Sequence, residues 1–290
     1  MEKYKVVIIG SGIAGMTSAI YLKRGGIEPL IIEKSAPGGT LNLIPSIENY
    51  PGYEKISGPD LAMNIYNQIN NLGIKIIFKN INNINLDKKI INDNIEYEYL
   101  IIATGRKSRL LDLKDEEKLL GKGISTCALC DGFFYKNKKV VVVGGGNSAL
   151  TEAIYLSSIC KEVTIVHRRN NFTGEKYLID TVINTKNIKV LYNSKITNYN
   201  IKENKLISVT INDKKNIKVD GVFLAIGSTP NSECFNVEKE NGYILVDENY
   251  MTSKDNVYAI GDVIKKEYYQ LITASNDGIV AASNIINKIK

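Results

Sequence analysis

Cys127 and Cys130 are separated by two residues and followed directly by Asp131-Gly132. Two cysteines at this spacing can close a small disulfide ring, and an adjacent carboxylate can manage the protons exchanged as that ring opens. The chemistry indicated is thiol–disulfide exchange. Tetrahedral zinc would need two more Cys or His ligands at workable spacing. The chain supplies only Cys160, His167 and Cys234, scattered singly, and His167 is followed by two arginines that would repel a cation. A purely structural disulfide is disfavoured too, because closing so short a loop removes little chain entropy. Cys160 and Cys234 read as packing thiols.

The cysteine pair lies between two glycine-rich loops, and the elements around those loops must position it. Val6-Val7-Ile8-Ile9 is a short, wholly apolar run of the buried parallel-strand type, and it ends in Gly10-Ser11-Gly12-Ile13-Ala14-Gly15 before a helical pattern. In this context the glycines permit a tight turn, close approach of a pyrophosphate and close helix packing, with the anion at the helix N-terminus. A second strand, Leu30-Ile31-Ile32, ends at Glu33, where an acid would hydrogen-bond a ribose diol. Pro37-Gly38-Gly39-Thr40-Leu41 and Ile47 to Gly52 read as ligand-wrapping loops, and Gly58-Pro59-Asp60 as the start of a helix to about Asn71. The strand Tyr99 to Ile102 then runs into Ala103-Thr104-Gly105, which brings backbone close to a cofactor.

After the cysteines the pattern repeats. Val140 to Val143 is a strand, Gly144-Gly145-Gly146-Asn147-Ser148-Ala149 is the loop, a helix runs to about Ser158, and Val163 to Val166 ends in His167-Arg168-Arg169. His167 lies 23 positions after Gly144, as Glu33 lies 23 after Gly10, so the ribose-reading position of the second copy carries His167 with two arginines directly after it. An acid there suits a free diol, whereas arginines suit a 2′-phosphate. Gly221 to Gly227 mirrors the strand ending at Gly105, and Val257 to Asp262 returns to the first type of unit. The fold class that follows is α/β, with two Rossmann-like, three-layer ββα dinucleotide-binding domains, the second inserted into the first. Residues 1–112 and 238–290 form the outer domain and 113–237 the inserted one. The chain crosses between them near Leu111 to Leu113 and near Cys234 to Glu240, where a hinge would lie.

The length of 290 residues suits two domains with real cores. A net charge of +6 and a pI near 8.9 favour acidic partners. The lysines form no dense run, so nucleic acid is not expected. No signal-peptide h-region precedes Val6 and no apolar run reaches membrane-spanning length, which predicts a cytoplasmic location without a membrane partner.

Taken in order, Gly10 to Gly15, Gly38-Gly39, Glu48 to Gly52, Ala103-Thr104-Gly105, Cys127-Ala128-Leu129-Cys130-Asp131-Gly132-Phe133-Phe134, Gly144 to Ala149, His167-Arg168-Arg169 and Gly261-Asp262 resemble low-molecular-weight thioredoxin reductases along essentially the whole chain. The resemblance implies a homodimer with FAD in the outer domain and the redox disulfide in the inserted one. It implies that Cys130 is the thiol nearest the flavin, that Cys127 attacks thioredoxin, that Asp131 is the acid/base, and that the inserted domain rotates between flavin and thioredoxin. FAD would be held by Gly10, Ser11, Gly12, Ala14, Gly15, Glu33, Gly38, Gly39, Thr40, Leu41, Asn49, Ala103, Thr104, Gly105, Gly261, Asp262 and Gln270. An NADPH site, working or vestigial, would comprise Gly144, Gly146, Asn147, Ser148, Ala149, His167, Arg168 and Arg169, with no metal.

The departures concern the electron donor. Thr173 stands where NADPH-dependent members carry a third arginine, and Tyr269-Gln270 stands where they carry Arg-Gln. Losing one phosphate-facing arginine would weaken 2′-phosphate binding by about 1.5–3 kcal/mol. A second branch of the resembling family takes electrons from ferredoxin, a small acidic protein that the basic balance here would suit. The sequence therefore leans to ferredoxin as donor, with NADPH as the alternative. A flavin-dependent thiol oxidase is the more distant reading, and a non-enzymatic dinucleotide sensor would need neither cysteine.

Overall fold

The computed structural model describes residues 1–44 and 46–290. It divides into two compact units, Met1–Lys107 with Thr229–Lys290, and Ser108–Ser228. The sequence reading puts the divisions at 112/113 and 237/238. Packing explains the difference. Leu110, Leu111 and Leu113 lie against the apolar core of the second unit, whereas Phe235 and Val237 lie in or against a core of the first. The side chains just past each crossing thus belong to the unit whose core they fill. The crossings themselves, Arg106–Ser108 and Ser228–Pro230, are short strands that pair with each other.

The first unit is built on a sheet in which Lys75–Phe78, Pro29–Glu33, Glu2–Ile9 and Ile95–Ile102 run parallel in that order. Val257–Ala259 adds in parallel beside Ile95–Ile102. Alternation along these strands sends Val6, Ile8, Ile31 and Ile101 to one face and Val7, Ile9, Leu30, Ile32, Leu100 and Ile102 to the other. Both faces are buried, which is why the strands read as unbroken apolar runs. The helices Ile13–Arg24, Gly58–Asn71 and Leu271–Ile289 cover the first face. The middle helix starts where its sequence predicts, with the Ser57 hydroxyl accepting the Asp60 N–H at 3.1 Å and Pro59 in the first turn.

The second unit repeats the plan. Its parallel sheet has the order Ile188–Leu191, Glu162–Val166, Lys139–Val143, Gly221–Leu224, Ile124–Ser125. The helices Asn147–Ser157 and Lys176–Asn184 share one core with it. A three-stranded antiparallel sheet of Ile196–Lys202, Lys205–Ile211 and Lys215–Lys218 closes the other core. Each unit is therefore a three-layer α/β structure whose glycine loop lies at the C-terminal edge of its parallel strands, where such sheets bind ligands. No helix among the described residues is long and apolar enough to cross a membrane.

Candidate active site

Cys127 and Cys130 form a disulfide, with Cα atoms 5.4 Å apart. Ser125 fixes the entry to this turn: its hydroxyl donates to the Cys127 carbonyl at 3.1 Å and accepts the Cys127 N–H at 3.0 Å. The Cys130 N–H points at Cys127 Sγ, 3.0 Å away, and the Asp131 N–H donates to the Cys127 carbonyl at 3.2 Å. Cys127 is buried and Cys130 exposed. Asp131 is half-buried, and Phe133 and Phe134 beside it are 68% and 71% exposed. A hydrogen bond donated to sulfur favours its thiolate, so the Cys130 N–H would support an anion at Cys127 once the ring opens.

In the first unit a cavity of about 340 Å³ gathers Gly12, Ala14, Thr40, Asn49, Ala103, Gly105, Gly261, Asp262 and Gln270 from distant parts of the chain. Tyr269, Leu271 and Ala274 also line it and were not among the residues the sequence singles out. The remaining expected residues build its frame. Gly10 has φ +103°, and a side chain there would meet the Ala103 carbonyl oxygen at 2.4 Å. Gly15 packs equally tightly on the Gly10 carbonyl. Gly38 donates to the Ser11 carbonyl at 2.8 Å and brings the Gly38-Gly39 turn over Gly12, Leu41 is fully buried in the core, and Thr104 Oγ1 donates to the Asn231 carbonyl at 2.6 Å. Glu33 is 8% exposed, and its carboxylate accepts the Ser11 N–H and hydroxyl at 2.8 Å and the Lys34 and Ser35 N–H groups at 2.8 and 3.0 Å.

These residues fit a dinucleotide on an observation independent of their motif. Among the described residues nothing lies within 4 Å of where a Gly12 side chain would be, so the loop presents bare backbone at a helix N-terminus. Asn49 Nδ2 donates to Gln270 Oε1 at 3.3 Å across the cavity mouth. Burial raises the Asp262 carboxyl above its ordinary value, against the pull of Lys266 and Arg106. Beneath it the buried Asp277 accepts the Gly261 N–H at 2.9 Å and pairs with Lys266 Nζ at 2.8 Å.

In the second unit a cavity of about 690 Å³ brings together Gly144, Gly146, Asn147, Ser148, His167, Arg168 and Arg169, together with Arg109, Thr173 and Lys195. Gly144 repeats Gly10, meeting the Ala225 carbonyl oxygen at 2.3 Å, and Ala149 is buried beneath it. His167 is not free to read a ribose in the way its register suggests. Its ring is buried against Gly145, and Nε2 donates to the Asn171 carbonyl at 2.9 Å in the tautomer that bond requires. Thr173, at the position of the missing arginine, is exposed and donates both its N–H and its hydroxyl to the Gly145 carbonyl, at 2.8 and 3.2 Å. None of the side chains of Arg109, Arg168, Arg169 and Lys195 is in an ion pair among the described residues. The cleft is thus polar backbone at one end and uncompensated positive charge around it, a fit for a phosphorylated dinucleotide.

On the helix that starts at this loop, Glu152 has a buried Oε2 with no hydrogen-bond partner among the described residues, and burial pushes its carboxyl up to about 7. Nothing in its sequence neighbourhood distinguishes it from a surface carboxylate.

The pyridine nucleotide-disulphide oxidoreductase family model matches residues 4–278. A thioredoxin reductase of Ureaplasma parvum is 39% identical over 97% of this chain and 95% of its own length. Among solved structures, thioredoxin reductase from Lactococcus lactis superposes with a TM-score of 0.87 at 34% identity, covering 98% of each chain. A ferredoxin-flavin thioredoxin reductase from Clostridium acetobutylicum superposes with a TM-score of 0.55 at 30% identity, over 100% of this chain and 99% of that one.

Proposed function

The chain belongs to the pyridine nucleotide-disulphide oxidoreductase family, among its thioredoxin reductases, flavoprotein disulfide oxidoreductases, and from that premise we propose that it passes two electrons from NADPH to the Cys127–Cys130 disulfide and on to thioredoxin. In this reading FAD is held by the first unit, at Gly12, Thr40, Asn49, Gly105, Asp262 and Gln270. FAD would supply the two-electron carrier that links a hydride donor to a disulfide. The likeness to thioredoxin reductases further supports a cytoplasmic homodimer.

The observation that carries the choice of donor is the cleft at the second glycine loop, with Arg168, Arg169, Arg109 and Lys195 around it. Ferredoxin docking would make no use of this cleft, whereas a nucleotide carrying a pyrophosphate and a 2′-phosphate uses both its loop and its charge. The ferredoxin reading keeps two supports of its own: the likeness to the Clostridium acetobutylicum enzyme, and Thr173, which offers no charge to a 2′-phosphate.

The residues of the disulfide turn divide the work by geometry. Once reduced, Cys127 holds its thiolate against the Cys130 N–H and attacks one sulfur of the thioredoxin disulfide, with the other thioredoxin sulfur leaving as a thiolate. Cys130 then attacks Cys127 Sγ, which re-forms the disulfide and releases thioredoxin as the dithiol. Asp131 takes the Cys130 proton and returns it to the second thioredoxin sulfur as it leaves, the first thioredoxin thiolate taking its proton from water, and Phe133 and Phe134 offer the partner an apolar face. The test follows NADPH consumption with oxidised thioredoxin, using the flavin-loaded wild type with Cys127→Ser and Cys130→Ser. Turnover in the wild type and none in either variant, with flavin reduction by NADPH retained, is the expected result. Thioredoxin reduction by the Cys127→Ser protein would overturn the reading.

A further inference from the structure

The first cavity has a feature that neither its glycine loop nor the disulfide explains. Arg106 follows directly on Gly105, which lines the cavity, and its guanidinium lies 5.0 Å from the ring centroid of Tyr269 and 5.7 Å from that of Tyr243. The two rings are themselves 5.7 Å apart, so they hold the guanidinium from two chain segments far from its own. Tyr269 lines the same cavity. This is the position at which the resembling enzymes carry an arginine, so the charge absent from the segment returns from another strand end, seated on the ring that replaced it.

Charge around the wall gives this arrangement a consequence. Asp262 lines the cavity and Asp277 is buried behind it, and Lys266 pairs with both, at 2.8 Å from Asp277 and 4.0 Å from Asp262. Lys107, the neighbour of Arg106, is paired with Glu233 at 2.7 Å. Arg106 adds a second positive charge beside these two carboxylates, and its pull on Asp262 opposes the effect of burial there. Two-electron reduction leaves a negative charge on the flavin's pyrimidine ring when only one proton is taken up, and a net negative wall would oppose it.

Resting on the reading that this cavity holds the flavin, we infer that Arg106, seated on Tyr269 and Tyr243, sets the flavin's reduction potential by offsetting the charge that reduction creates. The guanidinium acts through the field at the cavity wall, so it is a positioning and potential-setting residue.

The test measures the midpoint potential of the bound flavin against a reference dye, anaerobically, in the flavin-loaded wild type and in Arg106→Gln, Arg106→Lys and Tyr269→Leu. Arg106→Gln should lower the ratio of reduced to oxidised flavin at fixed potential by at least tenfold, which is 29.6 mV for a two-electron couple. Arg106→Lys keeps the charge and should stay within threefold of wild type. Tyr269→Leu unseats the guanidinium and should shift in the direction of the Gln variant. An Arg106→Gln protein that binds flavin with a ratio within threefold of wild type overturns the inference. If that variant does not hold flavin, an unshifted Tyr269→Leu protein overturns it instead. A wild type that binds no flavin would refute the underlying assignment of the cavity, and is read before any variant is compared.

Discussion

The buried pair Asp277–Lys266 is the test of how the first cavity keeps its shape. The Asp277 side chain is 3% exposed and that of Lys266 13%, with 2.8 Å between them, and the same carboxylate oxygen accepts the Gly261 N–H at 2.9 Å. At an effective dielectric of about 20, two charges at this distance attract by roughly 6 kcal/mol before desolvation is subtracted. Removing one member of a buried pair costs about 3–5 kcal/mol, because the other is left buried and unpaired. Asp277→Asn should fall at the low end, about 3 kcal/mol, since the amide oxygen still accepts from Gly261 and Lys266 keeps Asp262 at 4.0 Å. For a unit of this size that is a fall in Tm of about 6–12 °C by calorimetry. Flavin occupancy should fall with it, because the Gly261-Asp262 turn loses its anchor. Adding Lys266→Met should recover part of the loss. A fall of less than about 2 °C, or strict additivity of the two changes, would refute the reasoning.

Glu152 carries a pH-dependent term whose sign is fixed by its shift. Its carboxyl titrates near 7 when folded and at its ordinary 4.5 when unfolded, so its contribution is complete below pH 4.5 and is lost as pH rises through about 7. Glu152→Gln should flatten that part of the stability profile by at most about 3 kcal/mol, and a profile superimposable on wild type would contradict this. Gly145→Ala would place a methyl 2.2 Å from Nδ1 of a ring that is buried and hydrogen-bonded, so it should cost about 1–3 kcal/mol and weaken NADPH binding in a titration. Arg169→Ala should raise KM for NADPH by about tenfold or more and leave that for NADH nearly unchanged.

The parts legible in the sequence are those written in contiguous residues. Apolar runs ending in glycine loops mark buried parallel strands because both sheet faces are covered, and the second copy of the unit repeats the spacing of the first. The cysteine pair declares itself by spacing. What could not be read there depends on contacts between distant segments. The Arg106 guanidinium meets Tyr243 and Tyr269 only once three segments converge. Asp277 looks like an ordinary helical carboxylate until Lys266 and the Gly261 N–H are brought to it. His167 occupies the expected register, yet its ring is spent on packing and on Asn171, leaving the arginines beside it to face the cleft. The two divisions lie earlier than the sequence puts them because Leu110 and Leu111 pack on the second unit's core and Phe235 and Val237 on a core of the first.

On the proposed function, NADPH feeds the disulfide through the cleft at Gly144 to Arg169. The most direct measurement offers NADPH, NADH and reduced ferredoxin separately to the anaerobic flavin-loaded protein and follows loss of the oxidised flavin's visible absorbance. The expected result is rapid bleaching by NADPH, slower bleaching by NADH, and loss of the NADPH preference in Arg169→Ala. Bleaching by reduced ferredoxin alone would contradict it and leave the cationic cleft without a part in the reaction.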